Sequence, residues 1–212
     1  MNEIAYILIG WLLGLLAPAI TSRITGRYRI ANIRNGVVRE LIHLENTAAS
    51  TYLMIEIHRG RFTKSLLTWY SPYLQYDDVP APFDKAKEVL PGLLNLTEDQ
   101  FSAATQHLTP SQDCGMHLRS FALPYSSTKL GDLDSFSEDS TRHILTLFSR
   151  VNIINQQIED SKFYYNLTYS SSISPENHQS VSNQLLSTYD AVATQVKVLI
   201  ENTKAAKNAM KV

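Results

Sequence analysis

Residues Ile4 to Ile20 read IAYILIGWLLGLLAPAI, seventeen consecutive residues without a charged side chain. At a rise of about 1.5 Å per residue this run forms about 26 Å of helix, near the lower limit for crossing a hydrocarbon core of about 30 Å. The run therefore predicts a transmembrane anchor over residues 1–23. Residues 24–212 are then expected to form one helical domain outside the bilayer.

The residues that flank the apolar run predict its orientation. A cleaved signal peptide is the competing interpretation, because Ala17-Pro18-Ala19 has the small residues of a cleavage site, but signal peptides begin with a basic segment. Here the chain begins with Asn2 and Glu3, and four arginines follow the run at Arg23, Arg27, Arg29 and Arg34. Arginines beside a spanning helix stay on the cytoplasmic side and attract anionic lipids. We therefore expect a single-pass membrane protein with its N-terminus outside, its C-terminal domain in the cytoplasm, and lipid contacts through these arginines.

One face of the apolar run is lined by small residues. Gly10 and Gly14 have the G-x-x-x-G spacing, and Ala17 follows one turn later. Small residues let two helices approach closely, and this packing drives helix association in lipid. The sequence thus predicts self-association through Gly10, Gly14 and Ala17.

Charge is distributed unevenly although the formal net charge is −1. Residues 21–64 carry eight Lys or Arg against three acids, residues 65–141 carry four against eleven, and residues 142–212 carry seven against five. The basic part lies beside the predicted anchor, so a bilayer accounts for the asymmetry and no nucleic-acid partner is expected. Cys114 is the only cysteine, which rules out an intrachain disulfide and fits a reducing compartment.

Apolar residues at gaps of three and four predict an all-α domain built as a three- or four-helix bundle of long helices. The long helices are expected at Arg27–His58, Ser137–Tyr169 and from Ser174 onward, and the last two should lie antiparallel because their connection is short. Residues 63–135 are expected to hold shorter helices and a long loop. Short helices are predicted at Thr63–Gln75, at Phe83–Leu90, where Pro91-Gly92 stops the helix, and at Thr97–Leu108, which begins with a capping box. A loop is predicted over Thr109–Ser135, with an extended piece at His117–Leu123.

The loop over residues 109–135 is the candidate interaction site, because long irregular loops on rigid scaffolds often carry binding residues. Its candidate residues are Cys114, His117 and Arg119. Cys114 and His117 have the spacing of metal ligands, but a zinc site needs three or four protein ligands and no second cysteine exists. Ser126 and Lys129 match the Ser-x-x-Lys spacing of some acyl enzymes, without the companion motifs. The sequence therefore assigns no catalytic, metal or cofactor-binding residue, and no cofactor is expected.

Three functional hypotheses follow from these observations. The favoured one is a membrane-anchored helical scaffold, sensor or accessory module that binds an unknown protein partner or forms a homo-oligomer. The alternatives are a membrane-bound hydrolase or transferase with its site in the 109–135 loop, and a small membrane-disrupting effector that oligomerises through its anchor.

Overall fold

The computed structural model describes residues 2–75, 84–106, 115–170 and 173–210, and within these ranges it contains helices and no strand. The all-α prediction and the helical bundle are therefore confirmed. In chain order the helices are α1 (Asn2–His58), α2 (Lys64–Tyr70), α3 (Asp84–Leu94), α4 (Glu98–Thr105), α5 (Pro124–Thr128), α6 (Glu138–Thr168) and α7 (Pro175–Ala209), with 3-10 helices at Ser71–Gln75 and Leu130–Ser135.

Helix α7 is the centre of the bundle, because it packs against both α1 and α6. Ser140 at the start of α6 donates a hydrogen bond to the carbonyl of Ala209 at the end of α7, and Arg150 bonds Gln195 further along. These contacts run in opposite sequence order, which confirms that α6 and α7 are antiparallel. Lys207, near the same end of α7 as Ala209, pairs with the buried carboxylate of Glu45, and Arg59 at the end of α1 pairs with Asp190 nearer the middle of α7, so α1 is also antiparallel to α7.

The apolar stripes that predicted the long helices form one core. The fully buried side chains at its centre come from all three long helices and from α2, and include Leu41, Ile55, Leu67, Ile144, Ile154, Ile158, Tyr189, Val192, Val196 and Leu199. The shorter elements cover one side of this core. Burial of such side chains is the main favourable term in folding.

The helix ends are set by side-chain caps where the sequence predicts them. Thr97 accepts a hydrogen bond from the amide of Gln100, and the Gln100 side chain accepts one from the amide of Thr97, which completes the predicted capping box of α4. Ser137 caps α6 by accepting from the amide of Ser140. The predicted end of α4 at Leu108 lies outside the described residues.

Helix α3 contradicts the prediction that Pro91-Gly92 stops it. The helix continues through Pro91 to Leu94, and further turns follow in which the amides of Asn95 and Leu96 bond carbonyls three residues back. A proline in a helix removes one backbone donor. Here the neighbouring turns keep their hydrogen bonds, so the helix passes the proline.

The predicted membrane anchor is wrong. The run Ile4–Ile20 is not a separate helix but the first part of α1, which continues through Pro18, Gly26 and Gly36. Among the residues that the structure describes, no helix is both long enough and apolar enough to cross a membrane. The seventeen uncharged residues supply about 26 Å, whereas a span needs about twenty residues, and arginines begin three residues after the run. The single-pass topology, with the N-terminus outside and a cytoplasmic domain, is overturned by the same finding.

Gly36 marks the closest approach between α1 and the loop region. A Cβ atom at this position would overlap the ring of Tyr125 at the start of α5. The amide of Tyr125 is held by the carboxylate of Glu40, one turn further along α1, at 2.6 Å. The backbone of Tyr125 is therefore fixed, and its ring, which packs against the core, would have to leave that contact to make room. By contrast, a Cβ at Gly26 of the same helix would meet no atom within 4 Å.

We expect Gly36→Ala and Gly26→Ala to change stability in opposite directions. Alanine favours a helix over glycine by about 0.5–1 kcal/mol, so Gly26→Ala should raise the thermal midpoint. At Gly36 the clash with Tyr125 should outweigh that gain and leave a net loss of about 1–2 kcal/mol. Thermal unfolding followed by circular dichroism measures both. Equal stabilisation by the two variants would show that Tyr125 does not pack on Gly36.

Candidate functional site

The C-terminal end of α1 builds one side of the candidate site. The amide of Gly60 bonds the carbonyl of Ile57, and the amide of Arg61 bonds that of Glu56, the paired hydrogen bonds of a Schellman motif. Gly60 has a φ of 69°, which glycine adopts without strain, so the predicted helix end at Gly60 is confirmed. The turn places Arg59 and Arg61 on either side of Gly60, facing α7.

Both arginines bind one carboxylate on α7. Arg59 donates from Nε to Asp190 Oδ1 at 3.2 Å and from Nη2 to Asp190 Oδ2 at 2.9 Å, a two-pronged contact. Arg61 Nη2 donates to Asp190 Oδ1 at 2.6 Å and to Glu56 Oε1 at 2.9 Å. These bonds link the end of α1 to the middle of α7.

The environment of Asp190 lowers the pKa of its carboxyl group. Partial burial acts in the opposite direction, because it disfavours the charged form. The hydrogen bonds and positive charges of Arg61 and Arg59 outweigh burial, and the pKa falls below its ordinary value. Asp190 is therefore ionised at neutral pH and holds both arginines.

Beside this network lies a shallow surface groove between α1, α2 and α7. It has two adjoining parts of about 440 and 540 Å³, and both are lined by Tyr52, Glu56, Arg61 and Lys197. The first part also includes the ring of Trp69, which meets the Tyr52 ring edge-on with 5.2 Å between centroids. We call this surface the Trp69 groove. Tryptophan, tyrosine and arginine are the residues that most often dominate the binding energy of protein interfaces.

Lys197 places a positive charge in this groove. No carboxylate within the described ranges forms an ion pair with it. Its ammonium lies 5.3 Å from the centre of the Tyr52 ring, and the side chain is exposed. The other cation, Arg61, is 45% exposed, whereas its partner Glu56 is only 13% exposed. Asp190 also lines the groove and is 39% exposed, so Glu56 and Asp190 balance the charge of Arg59 and Arg61, and Lys197 is the positive charge in excess.

On the other side of α7, residues 115–123 form a segment without helix or strand, which we call the strap. The Tyr189 hydroxyl accepts a hydrogen bond from the amide of Met116 at 2.7 Å and donates to the Met116 carbonyl at 2.6 Å. The Asn155 side chain makes the same pair of bonds to the amide and carbonyl of Phe121, both at 2.8 Å. Burial raises the pKa of Tyr189, and its hydroxyl therefore stays protonated. The extended piece predicted at His117–Leu123 stays a prediction, and the strap is fixed at two points, Met116 and Phe121.

The strap displays two of the three residues predicted for an interaction loop. His117 and Arg119 are exposed between the two fixed points, while Leu118 between them is buried. Cys114, the third, lies outside the described residues. Gly115 is packed so closely against Tyr165 that a Cβ atom would overlap the ring. The assignment of this loop as a binding site stays a prediction.

Ser126 of the Ser-x-x-Lys pattern has a structural role. It is buried, and its amide and hydroxyl both donate to the carboxylate of Glu40, which also receives the amide of Tyr125. This carboxylate therefore joins the start of α5 to α1. In the part of the chain that the structure describes, no group of three or more His, Cys, Asp or Glu side chains could hold a metal ion. The hydrolase or transferase hypothesis stays a prediction.

The arginines that were expected to contact lipid line the first part of α1. Arg23 and Arg27 are exposed, and Arg29 donates to Asp132 at 2.6 Å and so ties α1 to the 3-10 helix at Leu130–Ser135. Arg34 is half-buried beside the bundle. The lipid role assigned to them depended on the anchor that the structure contradicts.

The small residues predicted for self-association occupy the same part of α1. Gly14 and Ala17 are exposed, and a Cβ atom at Gly14 would meet nothing within 4 Å. Gly10 lies in the same helix, one turn before Gly14. This face of α1 is therefore open to a second helix.

Comparison of the chain with protein-family models, with curated proteins and with solved structures gives no significant match.

The Trp69 groove was missed at the sequence level, although parts of it were visible there. Tyr52 and Glu56 are four residues apart in a predicted helix, and Arg59 and Arg61 flank a helix-ending glycine. These signals placed the residues near one end of α1. The other components, Asp190 and Lys197, are about 130 residues away in the chain, and only the packing of α7 on α1 brings them into contact.

We predict a pH-dependent loss of stability on Asp190→Asn. Because the folded-state pKa of Asp190 is lowered, its contribution is full above the unfolded value of about 3.9 and disappears as the pH falls through the folded value. At pH 7 the variant should lose about 1 kcal/mol, since the pairs are partly exposed. The difference in thermal midpoint from the parent should shrink below about pH 4.

Asp139→Asn is the matched control, because Asp139 pairs with Arg142 on the exposed surface of α6. We expect its thermal midpoint to differ little from the parent at any pH. A difference between Asp190→Asn and the parent that stays constant from pH 7 to pH 3 would show that the carboxylate charge is not what links α1 to α7.

Proposed function

We propose that this chain is a helical interaction module that self-associates through the first part of α1. We call residues 2–32 of α1 the arm, because the first buried side chain described along this helix is Ile33. At 1.5 Å per residue the arm is about 45 Å long. Its described side chains are exposed or half-buried, and contacts with the rest of the described chain occur near its base, where Arg29 pairs with Asp132 and Ile30 packs against the core.

The observation that carries this proposal is the exposure of large apolar side chains on the arm. Trp11 is 64% exposed, Tyr28 69%, Ile24 50% and Leu16 46%. Ile24 and Tyr28 lie within about 40° of each other around the helix axis, whereas Trp11 and Leu16 lie about 100° and about 120° from the centre of that face. Exposed apolar side chains that share a face mark interaction sites. Covering them stabilises an assembly by the same effect that stabilises the core.

A second copy of the chain fits this surface. Gly14, Ala17, Ile24 and Tyr28 fall within about 80° of one another around the helix axis, and Gly10 lies on the same face. A helix about 45 Å long and 10 Å wide can cover about 450 Å² on one face, so two arms together bury about 900 Å², the size of a small interface. Two identical faces form such a contact symmetrically, which is the commonest arrangement in homo-oligomers.

The decisive comparison is between Gly14→Leu and Gly26→Leu in the full chain. Neither new side chain would meet a described atom at its Cβ position, so the fold should tolerate both. Gly14 lies on the proposed contact face, whereas Gly26 lies about 160° from its centre. We expect the parent and Gly26→Leu to form dimers or higher oligomers in sedimentation velocity, and Gly14→Leu to raise the dissociation constant at least tenfold.

Two results would contradict the proposal. One is a parent protein that stays monomeric at all measurable concentrations. The other is a Gly14→Leu variant that associates as strongly as Gly26→Leu, since the arm face would then not be the contact. Circular dichroism confirms that both variants are folded.

A further inference from the structure

We infer that the Trp69 groove binds an acidic peptide segment of a partner protein, with a carboxylate at Lys197 and an apolar side chain against Trp69. This interaction is separate from self-association. Tyr52 at the groove and Tyr28 on the arm are both in α1, but they are 24 residues apart, which is about 36 Å along the helix.

The charge of the groove selects an acidic partner. Lys197 is exposed, and among the described residues its ammonium contacts the Tyr52 ring and makes no hydrogen bond or ion pair, because the groove carboxylates Glu56 and Asp190 are bound by Arg61. The ammonium therefore keeps its capacity to donate hydrogen bonds. Arg61 uses a single nitrogen, Nη2, for both Glu56 and Asp190, and its other donors have no acceptor within the described chain. A carboxylate placed between Lys197 and Arg61 would receive charge-assisted hydrogen bonds from both.

The apolar side of the groove selects a peptide over a small anion. Trp69 and Leu66 are half-buried and lie in the same part of the groove as Lys197. The Trp69 ring is held in place by edge-on contact with Tyr52 and by Tyr73, whose ring centroid is 5.4 Å away. A fixed aromatic ring beside a cation provides area for one apolar side chain next to an acidic one.

The groove keeps its shape without a bound partner. Arg61 is fixed by Glu56 and Asp190, and its backbone is fixed by the Schellman motif. Tyr52, Glu56 and Lys197 project from long helices whose opposite faces are in the core. A preorganised site loses less conformational entropy on binding.

The chain offers a direct optical test. It contains two tryptophans, Trp11 and Trp69, so Trp11→Phe leaves Trp69 as the single tryptophan, which excitation at about 295 nm separates from the eleven tyrosines. The probe is a twelve-residue peptide of Glu and Asp with a central Phe-Leu pair, titrated into the full-length Trp11→Phe protein. We expect a saturable change in Trp69 fluorescence that weakens as NaCl is raised from about 50 to 300 mM.

Matched variants identify the contacts. Lys197→Gln should weaken binding about tenfold or more, because it removes the only groove cation without a carboxylate partner in the described chain. Lys162→Gln, at a lysine on α6 that pairs with Glu159, should leave the affinity unchanged. Replacing the peptide's Phe-Leu pair with Gly-Ser, or all its acids with Gln and Asn, should each weaken binding.

Three results would overturn the inference. The first is no saturable signal up to millimolar peptide. The second is equal affinity for the acidic peptide and its Gln and Asn version, or equal affinity of Lys197→Gln and Lys162→Gln. The third is that inorganic phosphate alone produces the same signal at the same concentration, since the groove would then be a simple anion site. None of these results depends on whether the arm self-associates.

Discussion

Two consecutive residues of α7, Tyr189 and Asp190, fix the positions of the other elements. The buried Tyr189 hydroxyl holds both backbone groups of Met116, and its ring meets His58 at the end of α1 edge-on, with 5.3 Å between centroids. Asp190 holds Arg59 and Arg61 just beyond that helix end. One turn of α7 thus joins the strap on one side to α1 and the groove on the other. A slip of α7 by one turn would break both sets of contacts at once.

The second fixed point between α1 and α7 lies at the opposite end of their contact. Glu45 is buried and pairs with Lys207, a geometry in which loss of one partner leaves an unpaired charge in a dry environment. The two polar contacts specify register, while the apolar side chains between them supply most of the stability. Because the polar contacts set the register and the apolar contacts set the stability, a charged side chain such as Glu45 is retained inside a bundle whose core is otherwise apolar.

Local signals were sufficient to predict the long helices and several of their ends, but α5 and the 3-10 helix at Leu130–Ser135 lie where the sequence predicted a loop over Thr109–Ser135. Ser137, Thr97 and Gly60 act within three to five residues of the backbone groups that they satisfy, so their patterns are visible in the sequence. The prediction that Pro91 stops α3 was wrong, because a proline removes one backbone hydrogen-bond donor and the neighbouring turns can keep their hydrogen bonds. The Asn155 and Tyr189 contacts to the strap, and the Asp190 contacts to α1, join residues far apart in the chain. Nothing in the local pattern marks them, and they depend on the packing of long helices.

The apolar run at the start of the chain shows the limit of reading one property alone. Its lack of charge was read as a membrane span, but the structure gives it as the beginning of a 57-residue helix whose later part lies in the bundle. Self-association through the small-residue face does not depend on the anchor, because Gly14 is open to a neighbour whatever surrounds it.

The continuity of α1 also gives the molecule a mechanical property. The arm is joined to the core by unbroken helix and not by a flexible linker, so it acts as a rigid lever about 45 Å long. A tilt of about 10° at its base, near Ile33, moves its tip by about 8 Å. The same rod ends at the groove, where Tyr52 and Glu56 are part of it. One helix therefore carries both proposed contact surfaces, the arm near its start and one wall of the groove near its end.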